Sequence, residues 1–600
     1  MSRLERNCPR VPGAPLRGAG LARERSRGRS TRQAAPFHAS RVGSPGGLLS
    51  ILPVFALALA LSVLGGRAAS ARDTLAIGIT QFPASFHPSI ETMLAKSYIL
   101  GMALRPLTAY GLDWTLECML CERLPTFANG LARREPLADG RTGVAVTFTL
   151  KPDQFWADGV PVTSADVVFG WEVGRNPHSG VADAEVYRRI RAIDVTDSRT
   201  FTLHFDRLTF DYNAVNDVAV LPAHIERARF AAAPDQYRNR TAYDLDTTLP
   251  GLWNGPYRIV RVVQGSKVVL EPNPYWHGHP PAFRRIVVAT IENGAALEAT
   301  LLAGGIDMIA GELGLPLEQA VSFARRHGDR FTTVFKPGLV YEHLEPNLAN
   351  PILADLGVRR ALLLAVDRAT LCRQLFDGRQ PVADDDVPPL DWVHSDDVTT
   401  YPYDPARAAA LLDAAGWRLG GDGWRHDAAG RRLTLELATT AGNRSRELVA
   451  EVLQAYWRAA GIDVRLKYQP PRVFFGDTVT RRRFSGLAMF AWYSAPESVP
   501  RQTLDSHQIP SAANGWSGEN YAGFADPRMD ALMDSIEVEL DRPRRRELWR
   551  QLQQLYAEEL PALPLYFRAD AHIWPKGLTG ITPTGHQDPS TLWVEDWRWP

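Results

Sequence analysis

Two short patterns in this chain have the residue types and spacing for chemistry. Cys118-Met119-Leu120-Cys121 sets two thiols three positions apart, the spacing of half a zinc site, a redox pair or a local disulfide. A four-cysteine zinc site needs a second such pair, and the other two cysteines, Cys8 and Cys372, stand far from each other. His277-Gly278-His279 is the one tight histidine cluster, but its neighbours are proline and aromatic residues with no acidic third ligand, so it reads as a loop. The patterns of catalysis are missing: there is no GxSxG elbow, no HExxH helix and no EF-hand loop. Each of the six lysines follows a residue other than glycine, which excludes a GK phosphate loop. The chain is therefore read as a non-enzyme with no cofactor and no resident metal.

Charge divides the chain. Its 600 residues carry 67 Lys+Arg against 67 Asp+Glu, with 45% hydrophobic and 22% charged residues. Those proportions disfavour disorder, collagen and a multi-spanning membrane protein. Residues 1–47 hold ten Arg and only two acids, Glu5 and Glu24; an apolar run follows at 48–64, then the small-x-small triplet Ala69-Ser70-Ala71. This is the layout of a cleavable secretory signal, with the cut expected after Ala71. The apolar run holds seventeen residues, interrupted by Pro53, against the roughly twenty that a membrane-spanning helix needs. No cysteine follows Gly65-Gly66 as in a lipoprotein, and no twin arginine precedes the run. The basic prefix is long for such a signal and no Met occurs between Met1 and Met93, which a start codon set too far upstream would explain. Removing the eleven Arg and two acids of residues 1–71 from 67 of each sign leaves 56 basic and 65 acidic residues, a net charge of −9. An acidic exported chain argues against a nucleic-acid partner. In an oxidising compartment the first reading for Cys118 and Cys121 becomes a structural disulfide, with Cys372 free and buried.

Periodicity then places the elements. Strands are expected at 74–80, 144–150, 201–205, 257–263, 267–271 and 306–309, and helices at 295–302 and, in two pieces split at Asp367-Arg368, over 355–376. Thr163 and Asp166 form a capping-box-like helix start after the turn at Asp158-Gly159. Trp156, Phe169 and Trp171 around it read as core. Asp404-Pro405 and Asp526-Pro527 are helix starts, with the capping Asp followed by Pro at the first helical position. A strand at 433–437, a helix at 445–460 stopped by Gly461, and a strand from Ile462 make a crossover unit, so the sheet is parallel or mixed. A further helix is expected at 544–559. The fold class is α/β, in at least two lobes.

Several segments together resemble family 5 of the solute-binding proteins of ABC importers, the oligopeptide- and dipeptide-binding group. The signature is TFTLKPDQFWADGVPVTSADVVFGWE at 147–172; NGPYRIV, LLAGGIDMI, VRRALLLAVDR, YDPARAAALLDAAGW, AAGIDVRLKY and NYAGFADPRMDALM match further blocks in family order. The resemblance covers residues 72–600. It implies an α/β two-lobed clamp of the periplasmic-binding-protein type with an additional small domain. Lobe I would take 72–112, 216–335 and 564–600, the small domain 113–215, and lobe II 336–563, behind the extension and signal at 1–71. It also implies a monomeric periplasmic receptor that captures a small solute, a peptide first, between its lobes and delivers it to a membrane permease. The alternatives are an opine, a glycoside or a metal chelate as ligand, or an exported enzyme or processing factor that has kept the clamp.

The resemblance also nominates ligand residues. In peptide binders of the family, a Trp in the second lobe is followed three positions later by an Asp that pairs with the ligand's amino group. Here the segment is Trp492-Tyr493-Ser494-Ala495-Pro496-Glu497, so the matching position is Ala495, whose methyl cannot pair with an ammonium. Either Glu497 takes the role or the ligand lacks a free amine there. Trp492 and Tyr493 by motif position, Glu497 as amine partner and Phe82 from the first loop are the leading candidates. Asn347, Trp516 and Asn520 are added from loops that approach the cleft in the family.

Overall fold

Alternation of apolar and polar residues turns one face of each strand into the core. In the computed structural model, which describes residues 73–599, ten such strands form one sheet. In spatial order they are Asp463–Gln469, Thr434–Thr440, Leu487–Tyr493, Phe331–Pro346, Leu563–Pro575, Met308–Ile309, Thr74–Ile79, Arg285–Thr290, Lys267–Pro272 and Tyr257–Val263. The leader, the expected cut after Ala71 and Cys8 lie outside the described residues. Among the described residues no helix is long and apolar enough to cross a membrane.

The two ends of this sheet are built separately. At one end Thr434–Thr440 pairs in parallel with Asp463–Gln469, and the helix Arg444–Ala459 crosses between them, capped by Asn443 and followed by Gly461 at φ +81°. This is the crossover unit expected from the sequence, with the first strand ending three residues later, at Thr440, where it also pairs in parallel with Leu487–Tyr493. At the other end Thr74–Ile79 pairs in parallel with both Arg285–Thr290 and Met308–Ile309. Each end buries its own core: Leu75, Ile77, Trp253, Ile286 and Val288 in one, Leu435, Leu437, Leu453 and Trp457 in the other.

Phe331–Pro346 and Leu563–Pro575 join the ends as an antiparallel pair that runs from Phe331↔Pro575 to Leu344↔Leu563. The pairing lapses between Pro337↔Ala569 and Tyr341↔Phe567. Pro337 has no N–H to donate there. At Gly338 a Cβ would come within 2.9 Å of the Gly585 carbonyl, so the close approach requires glycine. Beyond the gap, Glu342 is fully buried and takes both Arg446, from the crossover helix, and Arg568, from the partner strand. Burial opposes its charge, and Arg568 and Arg446 outweigh burial, holding its pKa below the usual carboxylate value.

A second, four-stranded antiparallel sheet stands apart, in the order Ala132–Pro136, Thr142–Thr149, Thr200–Phe205, Ile190–Val195. It closes its own core with Leu107, Cys121, Val146, Phe148, Trp156 and Leu203. A disulfide joins Cys118 and Cys121, with Cα atoms 5.1 Å apart, while Cys372 is free and buried in the other core. The helix Ser164–Gly174 begins as the capping signature predicts, but Asp166 does more than cap. One of its oxygens accepts the Thr163 N–H at 2.8 Å and the Trp156 indole N–H at 3.4 Å, and the other accepts the Ala223 N–H at 2.9 Å. Trp156 and Phe169 are core, as expected, and Trp171 is half-buried under Arg175.

Most other helix starts follow their capping residues. Asp355, Asp367, Asp404 and Asp526 cap helices at Leu356, Arg368, Pro405 and Pro527. The last long helix is Arg542–Glu559, two residues longer than expected, because Asp541 accepts the Arg544 N–H and fixes an earlier start. The 306–309 strand shortens to Met308–Ile309 because Asp307 turns its carboxylate onto the Ala76 N–H at 2.8 Å. Residues 277–279 form an exposed loop in which His279 pairs with Asp596. Replacing Asp166 by Ala would strand three donors at once. It should lower stability by about 2 to 3 kcal/mol, read from urea unfolding followed by tryptophan fluorescence.

Candidate functional site

The strand Leu487–Tyr493 is paired on both sides, and its antiparallel register ends at Tyr341↔Trp492 and Val340↔Tyr493. Trp492 and Tyr493 therefore stand at a strand end, opposite the gap in the joining strands, where the chain turns into 494–499. Trp492 is braced by Tyr521, stacked at 5.7 Å and 20°, and by Phe490, edge-on at 5.3 Å. Tyr493 remains 49% exposed.

Five cavities follow one another past this point. The first, about 600 Å³, lies between residues 311–319 and the start of the crossover helix. It shares Glu312, Arg568 and Asp570 with a second, of about 150 Å³, that is walled by Tyr98, Lys336 and Tyr493. Leu339 and Tyr493 connect this to a third, of about 230 Å³, whose wall includes Trp492, Ala495, Asp386, Asp391 and Glu519. Ala495, Ser498 and Val499 also line a fourth, of about 330 Å³, which shares Tyr110, Phe210 and Glu497 with a fifth, of about 260 Å³. The row thus touches both ends of the large sheet and the segments next to the small one.

The third cavity is strongly acidic, and in the second Glu312 and Asp570 stand with Lys336 and Arg568. Burial pushes the Glu312 pKa up to about 7. Burial and the neighbouring Glu312 push Asp570 up to about 6. Burial likewise raises Asp386 and Asp391 to about 6, and Glu519 above its ordinary value. His572 beside them is driven down to about 4 by burial, and Lys336 is lowered by burial too.

Of the residues nominated from the sequence, Trp492 and Tyr493 line these cavities together with Ala495. Glu497 lines the two outer cavities instead. Its backbone has φ +53°, and its carboxylate binds the Arg545 guanidinium and accepts the Trp392 indole N–H at 2.9 Å. A ligand amine there would have to compete with Arg545. Phe82 packs edge-on against Phe86 at 6.2 Å, beside the first core. Asn347 donates to the Phe484 carbonyl and accepts the Ala349 N–H, fixing a turn. Asn520 is buried with four hydrogen bonds, to the Asp505 and Phe524 carbonyls and from the Gly523 and Phe524 N–H groups. Trp516 is a turn residue at φ +65°. Asp505, His507 and Asp530 offer ligand atoms within 4.8 Å of one another, and bonds to Arg501, His507 and Ser506 already engage both carboxylates.

Residues 126–509 match the family described as bacterial extracellular solute-binding proteins, family 5 middle. The chain belongs to this family. The oligopeptide-binding protein AppA of Bacillus subtilis (strain 168) is 25% identical over 456 residues, 75% of this chain and 80% of its own length. The nickel-binding periplasmic protein of Escherichia coli (strain K12) is 25% identical over 482 residues, 79% and 85% of the two chains. The oligopeptide-binding protein from Thermus thermophilus, complexed with a pentapeptide, matches with a TM-score of 0.67 at 28% identity, over 88% of this chain and 96% of that one. The fold is the two-lobed α/β clamp, and the protein is a solute-binding protein, not an enzyme.

Sequence reasoning missed the cavity residues of this solute-binding protein that come from elsewhere in the chain: Tyr98, Glu312, Lys336, Asp386, Glu519 and Asp570. The run Asp384-Asp385-Asp386 was the one local signal available. An acid whose folded pKa is raised, as in Glu312, destabilises the fold fully above that pKa, and the penalty disappears as pH falls to its ordinary value of 4.5. Glu312→Gln should therefore raise the stability of the ligand-free protein by about 2 kcal/mol at pH 8 and much less at pH 5, measured by urea unfolding at the two pH values.

Proposed function

We propose that this protein captures a peptide between its two lobes and delivers it to an ABC-type membrane permease. The observation that carries the reading is the shape of the site: five cavities in a row, four of them joined through shared walls along residues 493–499 and the first joined to the second through Glu312, Arg568 and Asp570. A compact solute fills one such cavity; an extended chain fills several and lets each receive a side chain. The relative from Thermus thermophilus that was solved with a pentapeptide supports the same reading. Micromolar capture corresponds to about −8 kcal/mol, within reach of a few buried aromatic contacts and a charge pair after the cost of closing the lobes.

The proposed lobes are 72–112, 216–335 and 564–600 for the first and 336–563 for the second, with a small domain at 113–215. The separate cores support this division. Closure would turn on the unpaired stretch at 338–340 of the joining strands. The leader at 1–71 supports export to the periplasm with removal after Ala71, and the protein would work there as a monomer. A second reading, a non-peptide solute such as a metal chelate, is favoured by one observation: Ala495 stands in the cleft at the position where the family's peptide binders carry the Asp that pairs with the ligand's amino group.

Native mass spectrometry of the gently purified protein should recover peptides, and their addition should raise the melting temperature with ligand mass unchanged afterwards. Recovery of only amine-free molecules would sink the peptide reading. Trp492→Ala should weaken capture by about tenfold or more, measured by calorimetric titration.

A further inference from the structure

Two neighbouring cavities meet at Tyr493, and between them four carboxylates take no hydrogen bond from another residue. Asp386, Glu519 and Asp570 take no hydrogen bond from another residue, and one Glu312 oxygen is buried without a partner. The base nearest to that oxygen is His572, at 3.9 Å, and burial keeps its imidazole neutral. Other acids of the same walls are satisfied. Glu345 accepts the Ala522 N–H and pairs with His343, and Asp391 accepts the N–H groups of Glu497 and Val393.

The available bases do not balance them. No Lys or Arg lines the cavity that holds Asp386 and Glu519. In the cavity that holds Glu312 and Asp570, Arg568 is paired with Glu342, leaving Lys336 as the base without an ion pair. Two further polar groups point to something missing. Tyr98, 1% exposed, has a hydroxyl with no partner and lines the Glu312 cavity. Gln380, 6% exposed, has an unpartnered carbonyl oxygen and lines the adjoining cavity, which also contains Glu312 and Asp570. Carboxylate and amide oxygens cannot satisfy one another, the Tyr98 hydroxyl and Lys336 are the donors at hand in one cavity, and no Lys or Arg lines the other, so a ligand's N–H groups can supply the rest. Desolvated carboxylates draw positive charge most strongly, and the Trp492 and Tyr493 rings add faces that attract cations.

Resting on the reading of this cleft as a peptide site, we infer that the captured peptide is basic, its Lys or Arg side chains received by Glu312 and Asp570 on one side of Tyr493 and by Asp386 and Glu519 on the other. A neutral peptide leaves these carboxylates without partners, and an acidic one adds repulsion.

The test uses three pentapeptides titrated calorimetrically at pH 8 and constant salt: one rich in Lys and Arg, one of Ala and Ser, one rich in Glu. The basic peptide should bind about tenfold tighter than the neutral one, and the acidic one more weakly still. Glu312→Gln and Asp386→Asn should each weaken the basic peptide by about tenfold while leaving the neutral peptide's affinity in place and without lowering the melting temperature, which the loss of a buried charge raises. Equal affinity for all three overturns this inference and leaves the peptide reading standing. Binding of none of them overturns the peptide reading itself. Equal loss of basic and neutral peptides in both variants, with melting not lowered, overturns the charge role of these residues.

Discussion

The pairing of Phe331–Pro346 with Leu563–Pro575 is the constraint on which this structure depends, because the continuous sheet passes from one end to the other only through these two strands. Each end completes its own parallel pairing and its own core, so neither needs the other to bury its apolar faces. What they share is a short antiparallel ribbon with a gap where Pro337 cannot donate and Gly338 lies against the Gly585 carbonyl. A ribbon interrupted there resists shear through its remaining hydrogen bonds and yields to bending at the gap. Glu342, buried between Arg446 and Arg568, ties the far side of the gap to the crossover helix, and removing one member of such a buried set leaves an uncompensated charge.

The cleft opposite the gap is built against the interest of the empty fold. Two acids elsewhere in this chain are closely paired: Asp166 serves three N–H donors and Glu342 two guanidiniums. Around Tyr493 the chain does otherwise, placing half-buried carboxylates that take no hydrogen bond from another residue and whose pKa values are raised. Raised proton affinity in these groups is the signature of that cost. Sites that must bind something are commonly less stable than the scaffold around them, because groups reserved for a ligand cannot also be satisfied within the protein.

Much of the scaffold was legible in the sequence because its causes are local. Asp404-Pro405 and Asp526-Pro527 start helices through bonds that reach no further than the next turn, and the 434–469 crossover shows in the change of period from two to 3.6 and back. Trp492 and Tyr493 were legible through a motif that a strand end carries. Glu497 shows the limit: it is two residues from Ala495, yet a left-handed backbone at that position sends its carboxylate to Arg545. Asn347 and Asn520 belong to the right loops, and their amides hold those loops together.

By itself the sequence determined the bounds of the elements it named to within a few residues, though not the strands Phe331–Pro346, Leu487–Tyr493 and Leu563–Pro575, and it determined the family and a net charge of −9 over residues 72–600. Those follow from neighbours along the chain and from counting. The tertiary structure decided which of the many acids remain without a partner. Glu312, Asp386, Glu519 and Asp570 are scattered over more than two hundred positions, and nothing near any of them in sequence distinguishes it from acids that are paired. Whether a carboxylate is free depends on distance and burial in three dimensions, since both its desolvation and the donors that could relieve it come from segments remote in the chain.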